Sequence, residues 1–528
     1  MTTHKLSVEA QPTRLPSNGL RIPLSRWLNA ETSILLFIFI LFYFFRLAAF
    51  SISIDDEFGA VRDSPDVWLV QGRWTLYLFE RYVISQQVLP FFPFLVFGGC
   101  IAVSYRLLLS AFGIERLGKI DYLAFSLYAA YPIWIFSLSF FSNTMAFGIG
   151  QLLAVVAVYN IGVALSLHNT GAAARRATLP MVRACLFGAA AIGMYQSFVF
   201  SVASLSLGLI VADTLRTNAG WRATLVRCAW AGVGVVSCIV VYEFMQWMLL
   251  AVTRLGGERY VANFLNWDAL RTNPWHVVVA VIVNGLQTYG GSAAVFGTTL
   301  ASYAIIVFLG FLSILLWPSR SWRSRLIALL LTALLAALPF LLHIAAGGNL
   351  PARTLVAVPA VMWLLARIGS ASPRRAVAFA MMCAVMVGAL QSLYALNLLQ
   401  TANEFARKHD EALAVEIFER VVTIDPHIAD GPVPVLDFYG AQPFDSIYPR
   451  PIPATMGYSF FEWDGGNSYR IVAYLHLLGY PRFEVAGQPQ RRQNDAVFRE
   501  MPSWPAPGSV RNFNGVILVK LGPNPGFR

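Results

Sequence analysis

The sequence predicts a mainly α, polytopic membrane protein of about eleven transmembrane helices with a small C-terminal α/β domain. Three observations carry that expectation. Of 528 residues, 57% are hydrophobic and only 13% charged, against roughly 25% charged in an ordinary soluble protein. Apolar runs of spanning length, about 20 residues each, recur from residue 33 to residue 399. After Gln400, charges, prolines and glycines return at the density of a soluble domain.

Residues 1–30 carry Lys5, Arg14, Arg21 and Arg26 without a small-residue cleavage site, and read as a cytoplasmic tail rather than a cleaved leader. The core, 31–400, holds apolar segments near 33–54, 88–112, 120–139, 142–167, 184–198, 199–212, 228–252, 298–317, 325–346, 350–367 and 376–399. Basic clusters fall in every second loop: Arg116 with Lys119, Arg175, Arg176 and Arg183, then Arg216, Arg222 and Arg227, then Arg320, Arg323 and Arg325, then Arg367, Arg374 and Arg375. Lys and Arg accumulate in cytoplasmic loops. The alternation therefore puts the N-terminus inside and the loop 55–87 outside. Pro274–Gly290 is apolar but short, with Asn284, Gln287 and Tyr289 at its end. Counting it as a crossing would put the Arg320 cluster outside, so it is read as a re-entrant or interfacial helix on the outer face. Tyr195 and Gln196 occupy a tight outer turn.

Residues 401–528 form the second unit. Phe405, Leu413, Ile417 and Val421 recur at helical intervals. Val433–Phe438 and Gly515–Leu521 read as buried strands with a helix, Ser468–Leu478, between them. An odd number of spans and an inner N-terminus place this unit in the periplasm of a bacterial inner-membrane protein.

Several function classes are disfavoured. The net charge of +11 is scattered in short clusters and is no nucleic-acid footprint. Cys100, Cys185, Cys228, Cys238 and Cys383 all lie within or beside apolar runs, so they imply neither a disulfide nor a zinc framework. No His-Glu-x-x-His, P-loop or Gly-rich dinucleotide loop is present.

The chemistry-bearing residues begin at the exit of the first apolar run, with Asp55, Asp56 and Glu57. Charges at a membrane boundary must be solvated or paired, and mark a site by default. Arg62, Trp68, Gln71, Arg73 and Trp74 follow, and the spacing of Trp68, Leu69, Leu76 and Phe79 predicts an interfacial helix over Val67–Tyr82. A carboxylate can deprotonate a sugar hydroxyl. Arginine can hold a phosphate bidentately, and tryptophan offers a face to a sugar ring. The competing reading is a solvated acidic loop beside an ordinary aromatic belt. Further along, Arg353 either binds a phosphate or snorkels, and His343 either assists it or fills the core. Asn143, Tyr195 and Gln196 either hydrogen-bond substrate or anchor the interface. Trp463, Asp464, Asn467 and Arg470 look like a turn and helix cap rather than a catalytic set.

The chain resembles the GtrII family of membrane glucosyltransferases, of the GT-C class of polytopic, lipid-linked sugar transferases. The resemblance rests on SISIDDEFG with WLVQGRW at 51–74, FFSNTMAFG at 140–148, GMYQSF at 193–198 and GGNLPARTL at 347–355. GYSFFEWDGGNSYRI at 457–471 and NGVILVKL at 514–521 extend it into the C-terminal unit. It implies a catalytic carboxylate in the first outer loop, here Asp55 or Asp56 with no ground for choosing, and a donor-phosphate ligand at Arg353. Glu57 departs from the simplest paired-acid pattern and is grouped with the substrate-binding residues.

The expectation is an inverting glycosyltransferase moving a hexose, glucose by resemblance, from polyprenyl phosphate to a lipid-linked or surface glycan such as O-antigen. Nucleotide sugars are unavailable outside the cell, so a flippase and a polyprenyl-phosphate sugar synthase are the implied partners. Nothing demands a metal, although the oxygens of Asp55 and Asp56 suit magnesium or manganese. A transporter or flippase is the rival class, and a non-catalytic scaffold for glycan assembly is a third.

Overall fold

A computed structural model describes residues 29–526, apart from 86–87, 170–173, 218–219, 258–261, 318–321, 429–432 and 452–454. The basic N-terminal tail, Arg320 and the side chain of Arg175 lie outside the described residues.

Helix α1 (Ala30–Ala48) begins at Asn29, whose side chain accepts the Thr32 N–H at 3.0 Å. It stops six residues short of the segment end expected at Ile54, because Ala49–Ser53 has no regular structure and leads into the acidic cluster. Three short helices follow: α2 (Asp56–Val61), α3 (Asp66–Val70) and α4 (Trp74–Tyr82). The single interfacial helix expected over Val67–Tyr82 is thus broken. Gly72 turns the chain with φ +83°, a conformation open to glycine at little cost. Its aromatics face protein as well: Trp68, Trp74 and Tyr77 are buried in one apolar cluster with Ile192, Met194 and Tyr242.

After α5 (Phe92–Ala111), the apolar segment 120–139 divides into α6 (Lys119–Ala129) and α7 (Ile133–Leu138). Pro132 supplies no N–H and disfavours helix at Tyr131. Then come α8 (Phe141–Asn169), α9 (Ala174–Met194), α10 (Phe198–Thr217) and α11 (Trp221–Thr253), with the tight turn at Tyr195–Ser197. Helices α12 (Trp267–Thr272), α13 (Pro274–Tyr289) and α14 (Ala293–Phe296) precede α15 (Ser302–Leu315), α16 (Trp322–Ala337), α17 (Leu341–Ala345) and α18 (Val358–Ser370). The last of the core, α19, runs unbroken from Arg375 to Ile424. Among the described residues, eight helical segments are long and apolar enough to cross a membrane, and α15 and α18 are shorter apolar helices.

Three of the basic loops meet at one end. Arg106 pairs with Glu31 at 3.1 Å, and Arg367 with Asp121 at 3.1 Å. Arg216 donates to the Phe112 carbonyl at 2.8 Å. These contacts bring the start of α1, the loop after α5 and the ends of α10 and α18 together.

At the other end, α19 carries its 50 residues, about 75 Å at 1.5 Å per residue, past Gln400 and into the C-terminal unit. That unit contains a four-stranded sheet in the order β2-β1-β4-β3, with β1 (Val435–Tyr439), β2 (Glu484–Val485), β3 (Val510–Phe513) and β4 (Val516–Lys520). Strand β1 is parallel to β2 and β4, and β3 is antiparallel to β4. Helices α20 (Ser468–Leu477) and α21 (Gln488–Glu500) complete it. Its core unites Leu413, Ile417 and Val421 of α19 with Leu436, Phe460, Tyr474 and Val519. Ile54, just before the acidic cluster, is fully buried in that same core.

Candidate active site

Buried polar groups on α1 and α19 fix the chain that leads into the acidic cluster. Arg46, near the end of α1, donates to the carbonyls of Ser51 and Ser139, the latter at 3.3 Å. Its guanidinium lies 4.2 Å from the Phe141 ring centroid. Asn403 of α19 donates to Ser51 Oγ at 2.7 Å and to the Ile52 carbonyl at 3.2 Å, while its own oxygen accepts the Gly457 N–H at 3.3 Å. Asp410, one helical stretch later, accepts the Phe460 N–H at 3.0 Å and the Ser459 hydroxyl. One helix therefore sets the approach both to Asp55 and to the 457–470 segment.

Within the cluster the three carboxylates diverge. Asp56 is fully buried and accepts the Ser53 N–H at 3.0 Å and the Ser142 N–H at 3.3 Å. Burial pushes its carboxyl up to about 7, against those N–H groups and Arg46. Glu57 is also fully buried and bound by Arg470 at 2.5 Å. Burial raises it to about 7, with Arg470 only partly offsetting. Asp55 is different. Its side chain is 43% exposed, its backbone is left-handed at φ +83°, and Oδ1 meets Arg470 Nη2 at 2.8 Å. Burial opposes the Arg470 charge, but Asp55 and Glu57 outweigh it and its proton affinity rises.

Asp55 lines a cavity of about 250 Å³ with Arg62, Trp68, Arg73, Asn143, Tyr195 and Arg353. Arg73 is nearly buried and donates to Asn143 Oδ1 at 3.2 Å. Its guanidinium sits 5.1 Å from the Trp68 ring and 5.0 Å from that of Tyr195, close enough for cation–π attraction. The turn presenting Arg73 is held by Gln196, which donates to the Gln71 carbonyl at 2.7 Å, and by Tyr242, whose hydroxyl donates to the Gly72 carbonyl at 2.8 Å. Arg353 lies on a 3-10 turn, Ala352–Thr354, ahead of α18. Its guanidinium is 5.0 Å from the Phe140 ring. Among the described residues it forms no salt bridge.

A second cavity, about 160 Å³, adjoins the first and shares Arg73, Tyr195 and Arg353 with it. The rest of its wall is mostly apolar: Val199, Phe200, Phe264, Leu265, Leu342, Ala346 and Leu350. Two guanidiniums thus stand between a polar chamber and an apolar one.

The structure brings together Asp55, Arg73, Asn143, Tyr195 and Arg353, with Gln196 at the second cavity. Asp56, Glu57, Trp74 and His343 line neither cavity. Trp74 is buried against Gly193, and the indole at the cavity is that of Trp68. His343 sits with Nδ1 3.4 Å from the Asn284 amide and Nε2 3.3 Å from the Thr354 hydroxyl. The cap expected at Asn467 is present, its side chain accepting the Tyr469 N–H at 3.0 Å. Arg470, on the same helix, was missed as a partner of the acids. Its only sequence signal is the FEWDGGNSYR stretch that carries part of the family resemblance. Glu80 was missed as well; it is buried and binds both Arg62 and the Trp68 indole N–H at 2.5 Å.

The acidic residues do not form a cation cage. Asp56 is taken up by two N–H groups, and Asp55 and Glu57 share Arg470. Among the described residues no group of three or more His, Cys, Asp or Glu is placed to hold a metal ion.

Neither a curated protein nor a solved structure matches the chain. One family does: the profile described as glucosyl transferase GtrII matches residues 44–368, from the end of α1 to α18, a stretch that includes every cavity-lining residue named above. The chain belongs to the GtrII glucosyl transferase family.

Proposed function

We propose that this protein transfers glucose from polyprenyl phosphate to a lipid-linked or surface glycan such as O-antigen, on the periplasmic face of a bacterial inner membrane. The observation that carries this reading is the meeting, in one cavity, of the half-exposed Asp55 carboxylate with Arg73 and Arg353, beside an apolar chamber. A sugar phosphate on a long apolar chain has three parts with three needs. The sugar fits the polar chamber near Trp68, the phosphate fits the two guanidiniums, and the first prenyl units fit the apolar wall.

In this mechanism Asp55 is the general base. It removes the proton of the acceptor hydroxyl, whose oxygen attacks the anomeric carbon. The bond from that carbon to the phosphate oxygen breaks, and its electron pair leaves with polyprenyl phosphate. Arg353 and Arg73 meet the growing phosphate charge where it develops. A single displacement inverts the anomeric configuration. No step passes through a divalent ion.

The topology that accompanies this has eleven spans. It puts the basic loops in the cytoplasm and the acidic cluster and C-terminal unit outside. The packing of Ile54 into the C-terminal core supports placing those two on one side. Because the donor is made from a nucleotide sugar inside the cell, a synthase and a flippase must supply it.

The test is direct. The protein in nanodiscs receives radiolabelled polyprenyl-phosphate glucose or, separately, a nucleotide glucose, with a lipid-linked glycan as acceptor. Label should pass to the glycan from the lipid donor alone, with or without a chelator. Transfer from the nucleotide sugar would contradict the donor assignment.

A further inference from the structure

The geometry points to Arg470 as a positioning residue for the base, which makes the C-terminal unit an obligatory part of the active site. This rests on the reading of Asp55 as the base.

Arg470 stands in the first helical turn of α20, in the C-terminal unit, yet three of its nitrogens hold carboxylates from two parts of the chain. Nη2 meets Asp55 at 2.8 Å, Nη1 meets Glu57 at 2.5 Å and Nε meets Asp464 at 2.8 Å. Its side chain is only 12% exposed, and the guanidinium lies 4.9 Å from the Phe58 ring. A planar fork anchored on one side by fully buried Glu57 leaves little freedom on the other. Asp55 therefore has one oxygen, Oδ1, clamped, and Oδ2 is left to receive a proton. The clamp also answers a cost, since Asp55 sits in the left-handed region that side chains other than glycine rarely adopt.

The support beneath Arg470 is independent of the acids. Asn467 caps α20, Ser468 is buried and accepts from Arg491 at 2.8 Å, and Arg491 pairs with Asp437 of β1 at 3.2 Å. The central strand of the domain thus fixes the start of α20, and α20 fixes the base. The charged groups facing Asp55 are Glu57 on its own helix, Arg470 and Asp464 from the C-terminal unit, and Arg62, Arg73 and Arg353 across the cavity.

Losing the fork while keeping the charge disturbs geometry alone. The experiment measures kcat and donor KM for Arg470→Ala, Arg470→Lys and Asp55→Asn in nanodiscs, with abundance and melting temperature recorded. Arg470→Ala should lower kcat about 10- to 100-fold, as expected for a misplaced catalytic group, with donor KM little changed. Arg470→Lys keeps the charge without the planar fork, so kcat should stay low while donor KM and melting temperature remain near wild type, a split that a purely structural contact does not produce. If Arg470→Ala fails to fold, a wild-type rate in Arg470→Lys overturns the inference. A wild-type rate in Arg470→Ala, with Asp55→Asn inactive, also overturns it and leaves the base assignment standing. A fully active Asp55→Asn defeats the base assignment itself.

Discussion

Asp55 and Asp56 are neighbours in sequence and opposites in the structure: Asp55 faces the cavity with a side chain 43% exposed, while Asp56 is fully buried on two backbone N–H groups. Sequence offers no way to rank two adjacent aspartates. Geometry separates them, giving Asp55 access to the cavity and Asp56 the task of joining the acidic loop to the start of α8.

Asp56→Ala would strand the buried N–H groups of Ser53 and Ser142. An unpaired buried donor costs about 1–3 kcal/mol. The melting temperature in nanodiscs should fall clearly, and abundance in membranes with it. Asp56→Asn keeps one acceptor oxygen and takes no part in proton transfer, so its rate per folded molecule should stay far above that of the Asp55 variant. An inactive, well-folded Asp56→Asn would reassign the base.

Arg353 should act on the donor. In Arg353→Ala, donor KM should rise and kcat should fall, because the leaving phosphate loses charge stabilisation; together these should lower kcat/KM by roughly 100-fold or more. Arg353→Lys should recover little of it, since an ammonium lacks the planar fork. Unchanged kinetics in Arg353→Ala would make the residue a packing partner of Phe140 and nothing more.

Gly72 presents Arg73 to the cavity. An alanine there would have to adopt φ +83°, and its Cβ would fall 2.7 Å from the Tyr242 hydroxyl and 2.9 Å from Gln196 Nε2. The left-handed backbone alone costs about 1–2 kcal/mol. Gly72→Ala should therefore lower the melting temperature and raise donor KM by displacing Arg73. A variant with wild-type stability and kinetics would show that this turn is not constrained.

Glu57 gives a pH dependence of known sign. Burial raises its folded-state pKa from an ordinary 4.5 to about 7. A raised carboxyl contributes stability that is complete below its ordinary pKa and is lost as pH climbs through the folded value. The Glu57→Gln variant has no such charge to bury. The stability advantage of wild type over Glu57→Gln, read from melting temperatures at pH 5 and pH 8, should shrink at the higher pH. A growing advantage would mean that Arg470 outweighs burial.

Much of the membrane core was legible because hydropathy reads through directly into helices. The tight turn at Tyr195 and Gln196 and the strands flanking Val435 and Val516 were also visible. Pro132 was a sequence signal that segment length masked, so the break between α6 and α7 inside the 120–139 segment was not expected. Composition changes at Gln400, while the helix continues through it because no proline interrupts Arg375–Ile424. Arg353, Arg73 and Asn143 came from motif order and meet in space. Arg470 did not, because it lies 413 positions from Glu57, and no local pattern reveals that pairing.

The central claim is that the Asp55 carboxylate takes the acceptor proton. Asp55→Asn is nearly isosteric and keeps an oxygen for Arg470, but it cannot act as a base. The decisive measurement is the single-turnover rate of glucose transfer from polyprenyl-phosphate glucose in nanodiscs, wild type against Asp55→Asn, at matched folded protein. A loss of about 10²- to 10⁴-fold is expected for a missing general base, with donor binding retained. Transfer by Asp55→Asn at the wild-type rate would contradict the account.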